Sequence, residues 1–181
     1  MSTPTSAPDQ ASASDRVRRA WDTLRGVADP EIPVLSLCDL GIVRDVREHG
    51  DVLDVVLTPT YSGCPATEMI EQDVRKALLD AGLGPVRTQL RRAPAWSTDW
   101  ISDEGRRKLR DYGIAPPGPV CGGGAAASGS PMFVQRSSAN PPCPRCSSTH
   151  TVQLSGFGST PCKALWRCLD CREPFDYFKP F

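Results

Sequence analysis

The chain has 181 residues, enough for one medium-sized domain and a second small one. Its 21 lysine and arginine residues balance 21 aspartate and glutamate residues, so net charge indicates neither a nucleic-acid nor a membrane partner. No apolar run reaches transmembrane length, and the N-terminus does not resemble a signal peptide. We therefore predict a cytoplasmic protein whose eight cysteines are metal ligands or reactive thiols rather than disulfides.

The first part of the chain predicts a tail followed by a helix. Residues 1–14 are rich in Ser, Thr, Pro, Ala and Gln and carry few large apolar side chains, which is typical of a disordered tail. Ser14 is expected to cap a helix that begins at Asp15, because apolar residues follow at helical spacing. The loop that follows carries two carboxylates, Asp29 and Glu31, and is commonly a solvated turn.

The next segment predicts a β–β–α–β unit. Residues 42–47 and 52–58 form a hairpin, and the second strand is apolar enough to be central and covered on both faces. A helix reaches about Ala81, and residues 86–92 form a half-exposed third strand. The helix between these strands predicts a parallel pair or a right-handed crossover. The fold class is therefore α+β, with a small α/β domain over residues 15–115 whose sheet has three or more strands.

Residues 58–65, Thr-Pro-Thr-Tyr-Ser-Gly-Cys-Pro, join the second strand to this helix. Pro65 suits the first helical position, which places Cys64 at or near the N-cap. Unpaired backbone N–H groups there favour a thiolate, so Cys64 is a candidate reactive thiol or metal ligand. The alternative is a free cysteine packed as a small hydrophobic residue.

An aromatic loop then leads to a last helix. Ser97, Thr98 or Asp99 is expected to cap this helix, and Gly113 to end it. Residues 116–142 are rich in Pro, Gly, Ala and Ser and predict a flexible linker, in which Cys121 is most simply an incidental thiol.

Two CxxC pairs mark a second domain over residues 143–181. Cys143 and Cys146 precede Cys168 and Cys171 by a gap of 21 residues, the spacing of a zinc β-ribbon. A rubredoxin-like iron site, a labile cluster and a redox pair are the alternatives. Cys162 is either a core residue or another ligand, and the near-neutral charge disfavours nucleic-acid binding.

These motifs resemble a known family. Residues 29–33, 39–43 and 58–65 are similar to the small domain shared by PaaD, SufT and the cytosolic iron–sulfur targeting proteins. Residues 95–101 and the ribbon resemble the PaaD family, associated with bacterial phenylacetyl-CoA epoxidase. The resemblance implies a cytoplasmic, non-catalytic accessory subunit that assists assembly or repair of an iron–sulfur or iron centre in a partner.

The resemblance also implies particular residues, a cofactor and partners. The family's reactive cysteine corresponds to Cys64 and its acidic loop to Asp29 and Glu31, which predicts a transient iron or cluster site beside a structural zinc. The implied partners are the epoxidase subunits, including the iron–sulfur reductase, with a possible homodimer to complete a cluster. The alternative is a structural subunit that docks on the oxygenase or reductase. An enzyme with Cys64 as nucleophile lacks a histidine placed to activate the thiol.

Overall fold

The computed structural model describes residues 14–61, 65–118 and 140–181. The tail predicted for residues 1–14 lies outside this part of the chain apart from Ser14, and so does most of the predicted linker, with Cys121. Cys64 also lies outside the described residues. The helices are α1 (Asp15–Leu24), α2 (Thr67–Asp80) and α3 (Asp103–Tyr112), and the strands are β1 (Val43–His49), β2 (Val52–Leu57), β3 (Val86–Leu90), β4 (Ile114–Ala115), β5 (Thr151–Ser155), β6 (Lys163–Cys168) and β7 (Pro174–Phe178).

The first sheet has three strands in the order β1-β2-β3. Strand β1 is antiparallel to β2, and β3 is parallel to β2 because α2 carries the chain back across the sheet. Helix α1 contacts α2 and β1, and α2 contacts β3. The predicted α+β class and the central position of β2 are confirmed.

Helix α1 begins as its sequence predicts. The Ser14 hydroxyl oxygen accepts a hydrogen bond of 3.2 Å from the Val17 N–H, which satisfies one of the free donors of the first turn. Ala20 and Leu24 lie on the buried face of the helix. The helix is therefore held at its start by a cap and along its length by apolar burial.

The two faces of β2 are buried in different ways. Alternate residues Leu53, Val55 and Leu57 belong to the main core. Asp54 lies on the other face with 2% of its surface exposed, and the Arg87 guanidinium donates hydrogen bonds of 2.5 and 2.7 Å to its carboxylate. The nearly continuous burial that the strand's composition predicts therefore includes a paired charge.

Helix α2 begins later than predicted. Its N-cap is Ala66, whose carbonyl accepts a hydrogen bond of 2.9 Å from the Ile70 N–H. Pro65 lies in the turn that precedes the helix, so the prediction that it occupies the first helical position is wrong. The N-cap lies two residues beyond Cys64, which the sequence places at or near this position, and the greater separation weakens the argument that the helix terminus activates this thiol.

Helix α3 also has a cap different from those predicted. Ser102 caps it by accepting a hydrogen bond of 2.9 Å from the Gly105 N–H. Ser97 instead caps a short 3-10 helix, Thr98–Trp100, and extended Ile101 separates the two helices. Gly113 ends α3 with a φ of 92°, as predicted.

The second sheet has four strands in the order β4-β7-β6-β5. The β-ribbon expected from the CxxC spacing contains the antiparallel pair β5 and β6, and the structure adds β7 and the two-residue strand β4. Strand β4 comes from the end of the predicted first domain and pairs in parallel with β7. Such a short strand has no periodicity that a sequence pattern can show.

The proposed domain boundaries at residues 15–115 and 143–181 stay predictions.

The loop that leads into β1 depends on one glycine. Gly41 has a φ of 66°, and a Cβ atom there would lie 2.7 Å from the Trp100 carbonyl oxygen. Both constraints favour glycine, because the left-handed region and so close an approach exclude a side chain.

Within the described residues, no helix is both long and apolar enough to cross a membrane.

Candidate metal centre

The four cysteines of the CxxC pairs converge at one end of the second sheet. The Sγ atoms of Cys143, Cys146, Cys168 and Cys171 all lie within 4.8 Å of one another. Among the residues that the structure describes, this is the one group of three or more His, Cys, Asp or Glu side chains arranged to hold a metal ion. Strand β6 ends at Cys168, so the sheet itself positions one of the two pairs.

The spacing of the sulfur atoms fits a tetrahedral metal. A zinc ion with Zn–S bonds of about 2.3 Å places its ligand sulfurs about 3.8 Å apart. The Cys143 and Cys171 sulfurs are 3.7 Å apart, and those of Cys146 and Cys168 are 3.5 Å apart. Four thiols leave no ligand position for a substrate, so this arrangement is that of a structural site.

The two CxxC turns have the same backbone geometry. The residue that follows each second cysteine, Ser147 or Arg172, has a φ near 60°, at 62° and 63° respectively. In the first turn the Ser147 N–H donates a hydrogen bond of 2.8 Å to the Cys143 carbonyl. A left-handed residue reverses the chain after each pair, which lets both thiols of a pair face the same centre.

Backbone N–H groups lower the pKa of one of the four thiols. The N–H groups of Cys171 and Asp170 point at the Cys168 sulfur and lower the pKa of this thiol to about 7. The thiolate is the form that binds a metal. These hydrogen bonds therefore favour the thiolate form of Cys168.

A polar contact joins the two CxxC turns outside the sulfur cluster. Asp170, which lies between Cys168 and Cys171, accepts a hydrogen bond from the Ser148 hydroxyl. Its other carboxylate oxygen lies 3.1 Å from His150 Nδ1. These contacts hold the second turn against the chain that leaves the first, so the ligand geometry is supported by neighbouring side chains.

Cys162 is not a fifth ligand. It is buried, with 3% of its surface exposed, and it belongs to the main core rather than to the sulfur cluster. Burial raises the pKa of its thiol to about 11. Cys38 is half-buried against the same core, and burial also raises its thiol pKa to about 11. Both cysteines are therefore packing residues with protonated thiols at neutral pH.

Asp29 and Glu31 lie where the first domain meets the ribbon. Asp29 is buried, and its Oδ1 accepts hydrogen bonds from the Glu31 and Ile32 N–H groups at 3.0 and 2.8 Å. The Cys162 thiol donates to Glu31 Oε2 at 3.8 Å. The loop that the sequence presents as a solvated turn is therefore part of an interface. The predicted association of both carboxylates with Cys64 stays a prediction.

Burial raises the pKa of both carboxyl groups. For Asp29, loss of solvation outweighs the two backbone hydrogen bonds that lower the pKa. For Glu31, loss of solvation acts first and the neighbouring Asp29 carboxylate adds to it. Lys163, which is 5% exposed, partly offsets the negative charge of both. A carboxylate with an unfavourable environment is one that a bound cation would stabilise.

An aromatic cluster forms the rest of the interface. The Trp96 ring lies 6.0 Å from that of Phe178 and 6.3 Å from that of Phe181, measured between ring centroids. The Thr98 N–H donates to the Phe181 carbonyl at 3.3 Å. Trp96 belongs to the aromatic loop that the sequence places before the last helix. The pairing of these residues across the interface carries no sequence signal.

Two families match the chain, one on each domain. Residues 18–89 match the family described as iron–sulfur cluster assembly protein, and residues 127–179 match the family described as PaaD zinc beta ribbon domain. The second match contains all four cysteines of the candidate metal centre. The sequence motifs indicated a resemblance to the iron–sulfur assembly domain and to the PaaD ribbon, and both are confirmed.

Individual relatives agree with these matches. An Escherichia coli (strain K12) protein named as a "Putative 1,2-phenylacetyl-CoA epoxidase" subunit is 47% identical over 167 residues, covering 92% of this chain and 94% of the relative. A Porphyromonas gingivalis protein named "Fe-S protein maturation auxiliary factor" is 38% identical over 48% of this chain and 83% of its own length. The Bacillus subtilis "Fe-S protein maturation auxiliary factor YitW" is 34% identical over 45% and 76%. With its two domains matched and such identity over nearly its whole length, this chain belongs to the PaaD family.

Proposed function

We propose that this protein is an accessory subunit of a phenylacetyl-CoA epoxidase system and assists assembly or repair of an iron–sulfur or iron centre in a partner subunit. The observation that carries the proposal is the combination, in one chain, of an iron–sulfur assembly match and 47% identity to a protein whose name makes it a component of that epoxidase. The maturation factors among its relatives support the same task. The protein is non-catalytic and works in the cytoplasm on protein partners.

Zinc is the metal that we propose for the ribbon. Cys143, Cys146, Cys168 and Cys171 would hold it, since four thiolates at tetrahedral spacing suit this ion. Bound zinc supplies folding free energy by joining the two CxxC turns. The chain's own contribution is to hold the four sulfurs in place through the left-handed residues and the Asp170 contacts.

Cys64 is the thiol that we propose for the transfer or repair step. It follows the loop 58–61, and the family's reactive cysteine corresponds to it by resemblance. A single thiol cannot hold a cluster alone, so a second protomer or the client has to complete the ligand set. Asp29 and Glu31 are proposed to assist by attracting the cation, because a bound cation would offset the loss of solvation that both carboxylates suffer.

The test compares Cys64→Ala with Cys38→Ala. Each variant is produced with the epoxidase subunits, and the iron and sulfide content of the reductase and the oxygenase is measured together with epoxidase activity. Cys64→Ala should lower the cofactor content and activity of one client while its abundance is unchanged. Cys38→Ala should preserve both, because this half-buried thiol lies outside the proposed site.

A folded Cys64→Ala protein that supports full client iron content and activity would contradict the maturation proposal. It would favour the structural subunit instead, whose loss removes the complex rather than the cofactor. Truncating the aromatic C-terminus is no clean test of that alternative, because Phe175 and Phe178 are buried in strand β7. Removal of that strand would unfold the ribbon sheet.

A further inference from the structure

Strand β3 is an open and regular edge of the first sheet. It pairs with β2 on one side, and no described segment pairs with its other side. Its residues Val86–Leu90 pair with β2 without a bulge, and the one charge among them, Arg87, is bonded to Asp54. Proteins commonly use bulges and unpaired charges to block association through a strand edge. The outer edge of β3 lacks both of these protections.

The other edge strands of the two sheets differ from β3. Most residues of β1 are charged, and a bulge interrupts its pairing near its start. In the ribbon, β4 has two residues, and β5 has a bulge between Gln153 and Ser155. The Asn140 side chain also donates a hydrogen bond of 2.8 Å to the Thr151 carbonyl in β5. Of the edge strands within the described residues, β3 is therefore the best suited to accept another strand.

Hydrogen bonds at the two ends of β3 show which backbone groups point away from the sheet. The Pro85 carbonyl accepts a hydrogen bond of 2.9 Å from the Leu53 N–H, and the Arg91 N–H donates one of 2.8 Å to the Leu57 carbonyl. Because alternate residues of a strand face the same neighbour, the odd-numbered residues of β3 bond to β2. No other described segment bonds to the N–H and C=O groups that point outward, which are those of Val86, Thr88 and Leu90.

The outward groups are complementary to those of a second copy. An antiparallel pair about a two-fold axis at Thr88 places Val86 opposite Leu90, and each outward residue donates one hydrogen bond and accepts one. On the exposed face, the same register places Arg87 opposite Gln89. A pairing centred on residue 87 or 89 would instead place one arginine directly opposite another, which is unfavourable. Charge therefore selects the register centred on Thr88.

The charges beneath this axis are already paired within each copy. The Thr88 hydroxyl donates a hydrogen bond of 2.8 Å to Glu71 Oε2, which holds one carboxylate of α2 near the axis. Arg75 lies 3.7 Å from the same oxygen, and its side chain is 44% exposed. The two-fold arrangement thus brings together two Glu–Arg pairs rather than two carboxylates without partners, so like-charge repulsion does not oppose it.

We propose that two copies of this protein associate through β3, antiparallel about an axis at Thr88, so that their first sheets form one continuous sheet. The loop 58–61 follows β2 and lies at the carboxyl ends of the parallel strands β2 and β3. The antiparallel pair therefore sets the loops of the two copies at opposite ends of the shared sheet. Cys64 follows this loop in the sequence, so the client rather than the second copy completes its ligand set, a consequence that rests on the proposed function.

Sedimentation equilibrium of the full-length protein measures the dissociation constant of the dimer. Thr88→Pro should raise this constant at least about tenfold, because it removes one outward N–H from each copy and leaves the facing carbonyl unpaired. The bonds to β2 remain, since this N–H points away from β2. The matched control is Thr88→Val, which keeps the N–H and should change the constant less than about threefold.

A second pair of variants tests the register without introducing proline. Gln89→Glu places a carboxylate opposite Arg87 and should strengthen the dimer about three- to tenfold, because the pair occurs twice. Gln89→Arg places arginine opposite arginine and should weaken the dimer by a similar factor. Thermal unfolding and metal content confirm that each variant is folded. A dimer that responds to both changes in the same direction uses another surface and overturns the proposal.

Hydrogen exchange followed by NMR identifies the edge directly. The amides of Val86, Thr88 and Leu90 should exchange more slowly as the protein concentration rises. Those of Arg87 and Gln89 are the internal reference, because their bonds to β2 protect them at every concentration. Exchange at the outward amides that does not depend on concentration, a wild type that is monomeric at millimolar concentration, or an unchanged dimer in Thr88→Pro would overturn the proposal.

The loading of a client with iron separates this proposal from the proposed function, because the dimer is measured without a client. The Thr88→Pro monomer should load a client as fully as the wild type does, since each copy has its own site. Loss of loading in this variant would contradict completion of the ligand set by the client. Full loading by Cys64→Ala would contradict the proposed role of the thiol and leave the dimer unaffected.

Discussion

The two sheets of this protein are stabilised by different forces. The first packs α1, α2 and the loop before β1 around a large apolar core. Within the described residues, the ribbon has a separate core of four buried residues, Ala115, Cys143, Cys168 and Phe175, and two of these are candidate metal ligands. Apolar burial is the main source of stability for the large core, whereas we expect so small a core to need metal binding for most of its folding free energy.

The difference does not make the two parts independent. The ribbon is joined to the larger core in two ways. Strand β4 pairs with β7 of the ribbon, and its residue Ile114 is buried in the larger core. Cys162 and Phe178 of the ribbon are buried in the same core. The metal therefore indirectly supports contacts made by Trp96 and Glu31 in the first domain. Breaking the metal site and breaking the interface should have different signatures, which the following variants separate.

The largest effect is expected for Cys146→Ser, which removes one exposed ligand. Loss of a structural zinc forfeits a binding free energy of about 10–16 kcal/mol as measured in small zinc domains at neutral pH, so the ribbon should unfold. The first domain should stay folded, with Trp96 fluorescence shifted to the red as its ribbon neighbours leave. Metal analysis and NMR spectra measure both changes.

Cys38→Ser is the control for this variant, because it alters a thiol outside the sulfur cluster and should retain metal. Wild-type protein without stoichiometric metal, or Cys146→Ser with a full complement of it, contradicts the assignment. Unfolding of the whole chain would instead show that the two parts form one cooperative unit.

An intermediate effect is expected for Trp96→Ala. The change removes a buried ring, two aromatic contacts and the hydrogen bond to the Leu40 carbonyl, and should cost about 3–5 kcal/mol in the free energy of unfolding. Metal content should be unchanged, since no ligand is touched. Denaturant unfolding followed by circular dichroism measures the loss.

Trp100→Ala provides the comparison for the Trp96 variant. Its ring is half-buried and lies 3.6 Å below the Arg44 guanidinium carbon, so its removal should cost less. A Trp96→Ala protein as stable as wild type would mean that the ribbon does not dock on the first domain in solution.

The smallest effect is expected for Glu31→Gln. Because burial and the Asp29 carboxylate raise the pKa of Glu31 above the ordinary 4.5, the folded protein binds this proton more tightly than the unfolded chain. Stability should therefore fall as pH rises from 4.5 through the folded pKa. Glutamine removes this loss and should stabilise the protein at pH 7 by less than about 1 kcal/mol.

Thermal unfolding of Glu31→Gln and wild type at pH 4 and pH 7 measures the difference. The difference includes the repulsion between the two carboxylates, because removing the Glu31 charge also makes Asp29 easier to ionise. A variant that is less stable than wild type at pH 7 contradicts the unfavourable burial. A variant that is equally stable but lowers client iron content supports the proposed role of Glu31 beside Cys64.

Local chemistry made much of this protein readable from its sequence. The Ser14 cap, the central β2 strand and the Gly113 terminus follow from side-chain rules that act within a few residues. The group of four cysteines can also be predicted from local sequence. Each CxxC pair forms a local turn, and one hairpin is enough to bring the two turns together. The sequence alone also placed the chain in its family.

Tertiary structure decided where distant segments meet. The contact of Cys162 with Glu31 joins residues that are far apart in the chain, and no spacing rule connects them. Strand β4 exists only because β7 offers an unpaired edge beside it, since two residues alone cannot hold a strand. The contact between the Trp96 and Phe181 rings likewise joins two segments that are far apart in the chain. Sequence periodicity reports the faces of single elements, whereas an interface depends on how several elements pack, and that is a property of the whole fold.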